Sequence, residues 1–177
     1  PIVVFGFAFK DAITTYLRSL YVISATLIIL ALVLVVAEKT AKMKKEVKDV
    51  SWFESQLMGL AQALALIPGV SRSGVTITAG LFSGMTREAA ARFSFLLSIP
   101  AVFASGMYEL WEVRHEITGD GMTAIVVSTI VSGIVGYLAI AFLLQYLKKH
   151  STFIFIYYRI ALGALILMLL SMNIVAP

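Results

Sequence analysis

The chain has 177 residues, 60% hydrophobic and 14% charged, with a mean hydropathy of +0.94. That balance places it in a bilayer rather than in water, and its length suits one bundle of spans. The net charge of +4 sits in short loops between apolar runs, a membrane pattern that argues against nucleic-acid binding, and the absence of cysteine excludes disulfides, thiolate chemistry and thiolate metal sites.

Residues 1–9 are apolar but too short to span, and read as the stump of an interrupted segment with no signal-peptide pattern. Residues 20–37 are long enough to cross. A polar stretch, 38–50, follows with Lys39, Lys42, Lys44, Lys45 and Lys48. Residues 51–67 and 75–85 are apolar, yet each is too short for a hydrocarbon core of ~30 Å. Between them stands the polar run Pro68-Gly69-Val70-Ser71-Arg72-Ser73-Gly74. Three further spans are expected at 89–110, with a kink at Pro100, at 125–147 and at 153–175. The predicted fold is all-α: a polytopic membrane helix bundle in one domain, with a re-entrant helix–loop–helix over 51–86.

Charge sets the orientation. The 38–50 loop and Lys148-Lys149 are expected in the cytoplasm, and the loop with Glu109, Glu112, Glu116 and Asp120 outside. Both basic loops fall on one face only if the 51–86 hairpin leaves and returns there, which puts its break near mid-membrane. Non-helical backbone survives at that depth only where protein or a water-filled cavity satisfies it, and short broken segments are where membrane proteins bind ligands.

The break has the chemistry of an anion site. Pro68 ends the first half-helix, and Gly69 and Gly74 permit close backbone approach. The second half-helix then presents unpaired N–H groups at the positive end of its dipole. Ser71 and Ser73 add hydroxyl donors, and Arg72 adds a planar fork matched to phosphate oxygens.

Other polar residues carry less. Glu88 and Arg92, spaced i, i+4, suit a helix-surface pair. Arg159, six residues into the last apolar segment, allows either snorkelling to the headgroups or an inward contact, and snorkelling is the expectation. Gly80 to Gly84 and Ser132 to Gly136 suit plain helix packing. Thr76 and Thr78 either extend the polar lining or bond their own backbone. His115 and His150 fall in opposite loops and partner neither each other nor the break. No carboxylate pair lies near the break, and no cluster has metal-ligand spacing.

Three blocks of the chain resemble the undecaprenyl pyrophosphate phosphatases, the bacitracin-resistance family of membrane lipid phosphatases. They are Gln62-Ala63-Leu64-Ala65-Leu66-Ile67 running into the Pro68–Gly74 loop, Arg87-Glu88-Ala89-Ala90-Ala91-Arg92-Phe93-Ser94 continuing to Pro100, and Phe155-Ile156-Tyr157-Tyr158-Arg159 continuing to Gly163. The resemblance implies two inverted repeats, each with a re-entrant hairpin. The first would carry a glutamate-rich half-helix before a Pro-x-Ser-Ser-Thr-Gly-His loop. That block is not in this sequence, which therefore reads as the C-terminal portion, with Gln62 and Leu66 where the first repeat has glutamates.

By that resemblance the parent enzyme converts undecaprenyl pyrophosphate to the monophosphate in the bacterial plasma membrane, recycling the carrier lipid of peptidoglycan synthesis and conferring bacitracin resistance. Arg72, Ser71 and Ser73 would be the catalytic residues of this half. Gly69, Gly74, Val75 and Gln62 would bind phosphate, with the Gly74 and Val75 amides orienting its oxygens. A divalent cation, Mg2+ or Ca2+, is implied with no ligands in this chain. Implied partners are the polyprenyl pyrophosphate, membrane lipids, the first repeat and a second copy of the protein. Two other readings stay open: half of a transporter or flippase for a phosphorylated lipid, or an inactive truncated piece.

Overall fold

The computed structural model describes residues 1–8, 17–114 and 119–175. Its helices are α1 (Ile2–Ala8), α2 (Leu20–Thr40), α3 (Trp52–Ala63), α4 (Arg72–Phe82), α5 (Arg87–Val113), α6 (Gly119–Leu147) and α7 (Phe153–Ser171). Short 3-10 turns occupy Val47–Asp49 and Leu64–Leu66, and the described residues contain no strand beyond one isolated bridge, Lys45 to Met85. Helices α2, α5, α6 and α7 are long and apolar enough to cross a membrane. The fold is an all-α membrane bundle. His115 and Glu116 lie outside the described residues.

Burial follows helical periodicity. In α2 the buried positions Ser24, Leu27, Ala31, Leu34 and Glu38 recur every three or four residues, and α7 answers with Ile156, Arg159 and Gly163. The two helices pack closely because Gly163 carries no side chain: a Cβ there would come 2.7 Å from Ile28 Cγ1 and 3.1 Å from the Ser24 carbonyl. Helix α4 is the centre of the bundle, burying Val75 through Thr78, Gly80 and Leu81. Its Gly80 lies against Ala90 of α5 and Met58 of α3, as expected for packing. Gly133 and Gly136 of α6 have nothing near them among the described residues, and α6 buries only Leu147 at its end.

The hairpin of α3 and α4 is tied at its base. Lys45 N–H donates to the Gly84 carbonyl at 3.0 Å, and Thr86 N–H donates to the Lys45 carbonyl at 3.0 Å. Ser51 caps α3, its hydroxyl accepting from Glu54 N–H while Glu54 accepts from Ser51 N–H. Lys45 Nζ reaches Glu54 Oε1 at 2.5 Å; that ammonium, and then the Ser51 donors, hold the Glu54 carboxyl at about 2, below its ordinary 4.5.

Three charged residues sit differently from expectation. Glu38 is no loop residue: α2 runs through it to Thr40 and buries its side chain to 2% exposure. There it accepts from Arg87 Nε at 2.5 Å and from Thr152 Oγ1 at 2.9 Å, joining α2 to the starts of α5 and α7. Glu88 pairs with Lys148 Nζ, 3.3 Å away in the turn just after α6, instead of Arg92, because a long lysine from that turn reaches it. Arg159 turns inward instead of snorkelling.

At the far end, the break packs on α2. Thr26 Oγ1 donates to the Pro68 carbonyl at 2.8 Å. Gly69 has φ +87, and a Cβ there would collide with Thr26 Oγ1 and come 2.6 Å from the Ile23 carbonyl. Gly69→Ala is expected to cost about 2 kcal/mol or more, from left-handed strain plus this collision. Thermal unfolding in detergent checks it, and a midpoint equal to that of the parent would contradict the packing.

Candidate anion-binding site

The site is built where the chain stops one helix and starts another. After Ile67 the backbone passes through Pro68 and Gly69 to Ser71, which holds φ 62 and ψ 107, an unusual conformation for a residue with a Cβ. Ser71 then caps α4. Its hydroxyl accepts from Gly74 N–H at 3.2 Å and its carbonyl from Val75 N–H at 3.0 Å. The Gly74 and Val75 amides, expected to orient phosphate, are therefore already occupied. The unspent first-turn donors are the amides of Arg72 and Ser73, which have no acceptor among the described residues.

Consecutive residues at a helix start point about 100° apart, and the side chains of the break divide accordingly. Ser71, Ser73 and Gly74 face a cavity of about 290 Å³ shared with Arg159 and with Leu27 and Ile77. Arg72 faces the other way, into a cavity of about 450 Å³ between α1 and α5, walled by Ile2, Val3, Ala101, Val102 and Ser105. Its guanidinium makes no hydrogen bond or ion pair among the described residues. The expected cluster of Arg72, Ser71 and Ser73 thus brackets one helix end from two sides, with the free amides between.

The remaining expected site residues sit apart from these cavities. Gln62 is 2% exposed, lines neither of them, and its Oε1 has no partner among the described residues. Gly69 lies against α2. Val75 is buried in the packing of α4. Thr76 and Thr78 bond their own backbone at the Arg72 and Gly74 carbonyls, and Thr76 also meets Ser94 Oγ at 2.5 Å.

Arg159 is the residue that sequence reasoning misplaced. It is 6% exposed, and its Nη2 donates to the carbonyls of Gly69 at 3.1 Å and Val70 at 3.0 Å. A signal was available: a break inside an apolar bundle leaves carbonyls without helix partners, and a buried donor must answer them.

No group of three or more His, Cys, Asp or Glu among the described residues could hold a metal ion. What surrounds the break is hydroxyls, amides and guanidinium, donors that fit an anion and not a divalent cation.

A family model for "Bacitracin resistance protein BacA" matches residues 1–165. The chain is 58% identical to an undecaprenyl-diphosphatase of Chloroherpeton thalassium, over 98% of this chain and 64% of that protein. It is 56% identical to that of Chlorobium luteolum and 54% to that of Chlorobaculum tepidum, each over 100% of this chain and 66% of the relative. The chain spans about two thirds of the length of these curated relatives.

Proposed function

The chain belongs to the BacA family of bacitracin resistance proteins, and on that premise we propose that it is the phosphate-gripping portion of an undecaprenyl-diphosphatase of the bacterial plasma membrane. One observation carries the reading: a helix N-terminus at a break between apolar segments, with two unspent amides and a guanidinium on either side. Phosphoryl transfer asks the protein mainly to position the group and to stabilise charge on its equatorial oxygens. The Arg72 and Ser73 amides, the α4 dipole and the Arg72 fork do this. Ser71 and Ser73 orient the oxygens with their hydroxyls. The α1–α5 cavity, walled by aliphatic and small side chains beside Arg72, suits the first isoprene units of the tail.

The nucleophile and its acid–base partners come from outside the described residues, from the first repeat that the family resemblance implies. A divalent cation, Mg2+ or Ca2+, neutralises phosphate charge when bound, and its ligands also come from there. The 51–86 hairpin is re-entrant in this reading, entering and leaving on the basic face. A second copy of the protein is a further partner.

The test is phosphate release from undecaprenyl diphosphate by the complete protein in detergent with Mg2+ or Ca2+. Release of inorganic phosphate and undecaprenyl phosphate is expected. No release, with movement of the phosphorylated lipid across vesicle membranes, would favour the carrier reading.

A further inference from the structure

The α7-facing cavity beside the break holds more than the family reading uses. It runs from Thr152, at the basic end of the bundle, to Ser71 and Ser73 at the break. Among the described residues no Asp or Glu lines it, and the Thr152 hydroxyl is committed to Glu38. Among the described residues Arg159 is the one charged side chain on its wall.

That arginine is not used up by the break. Nη2 serves the Gly69 and Val70 carbonyls, whereas Nε is buried without a partner and Nη1 makes no hydrogen bond among the described residues. Nη1 and Ser71 Oγ flank one point, lying 2.5 Å and 3.1 Å from where a Gly74 Cβ would sit. Gly74 is bare there, so both groups reach the helix end. Ser71 Oγ accepts from Gly74 N–H and keeps its own proton to donate, and Ser73 Oγ makes no hydrogen bond among the described residues. A buried cation with an unspent N–H, two hydroxyl donors and a helix N-terminus meet in a space without carboxylates. Arg159 is buried, Ser73 and Gly74 are half-buried and Ser71 is exposed, so the guanidinium is the desolvated donor of the set, and a buried cation with an unspent N–H favours an anion.

We propose that Arg159 is a second phosphate-binding residue, forming with Ser71 and Ser73 a subsite on the face of α4 opposite Arg72. The inference rests on reading the break as a phosphate site. It assigns to the group bound there a grip from two guanidiniums, one in each cavity. The ligand is a phosphate group, and the leucines and Ile77 around it fit an attached lipid as well as the free ion.

Binding of two probes, inorganic phosphate and farnesyl monophosphate, to the complete protein in detergent tests this by calorimetry without any turnover. Arg159→Lys keeps a charge but lacks the fork that serves backbone and ligand together. It is expected to weaken binding at least tenfold while the protein remains folded. Ser73→Ala removes a hydroxyl that supports nothing in the described structure, and a loss of threefold or more is expected. A loss confined to farnesyl monophosphate identifies a lipid phosphate, and a loss confined to the inorganic ion identifies free phosphate. Unchanged affinity for both probes in folded Arg159→Lys overturns the proposal. Should that variant not fold, Gly74→Ala decides, because its methyl displaces Nη1 without removing the charge: weakened binding supports the subsite and unchanged binding overturns it. A parent that binds phosphate through Arg159 yet hydrolyses nothing would sink the phosphatase reading alone. A parent that hydrolyses with equal phosphate affinity in both variants would sink only this inference.

Discussion

Replacing Arg72 by lysine in the complete protein is expected to lower phosphate release from a polyprenyl diphosphate at least tenfold, about 1.4 kcal/mol of transition-state stabilisation. Lysine preserves the charge and the apolar stem but not the planar fork, so the loss reports geometry. Because no described residue is bonded to the Arg72 guanidinium, the substitution leaves the internal packing intact. The expected pattern is a fall in kcat with an unfolding midpoint close to that of the parent. Arg72→Ala should lose more, since the charge goes as well. Unchanged turnover in well-folded Arg72→Lys and Arg72→Ala would remove Arg72 from the phosphate grip.

The second large effect lies at the other end of the bundle. Glu38 accepts from Arg87 and Thr152, so one buried carboxylate fastens α2 to the first residue of α5 and the cap of α7. Removing one partner of a buried pair leaves the other uncompensated, and Glu38→Ala is expected to destabilise by about 3 kcal/mol or more. Glu38→Gln keeps a carbonyl oxygen for Thr152 but not the charge for Arg87, and should fall between. Combining Glu38→Ala with Arg87→Met should recover part of the loss, since the stranded cation goes too. Thermal unfolding in detergent gives the order. A Glu38→Ala midpoint within about 2 °C of the parent would show that the pair contributes little.

The four long apolar helices were legible because hydrocarbon thickness sets a minimum run of apolar residues. Their ends were less so. Helix α2 continues to Thr40 and α5 begins at Arg87, since polar residues at helix ends remain helical where another helix answers their charge, as Arg87 answers Glu38. The break was legible from Pro68, Gly69 and Gly74. Its division into two faces was not, because a motif read as a string of letters hides the turn between Ser71 and Arg72. Arg159 was harder still. A lone arginine in an apolar segment allows snorkelling and inward contact alike, snorkelling being the commoner, and only the position of the Gly69 and Val70 carbonyls decides between them.

The tie between Lys45, Gly84 and Thr86 has a consequence for how deep the proposed phosphate site lies. Those bonds are made by backbone atoms and fix where the hairpin begins and ends, whatever side chains occupy the basic loop. From that anchor, the 12 residues of α3 rise about 18 Å and the 11 of α4 about 16 Å, roughly half the hydrocarbon thickness. The hairpin is thus a ruler, graduated in residues. One residue inserted in α3 would lift the break by about 1.5 Å and turn it by about 100°, swinging Gly69 off Thr26 and its carbonyl away from Arg159. Chain length between Ser51 and Pro68 is accordingly more tightly constrained than the identity of the outward-facing side chains along it.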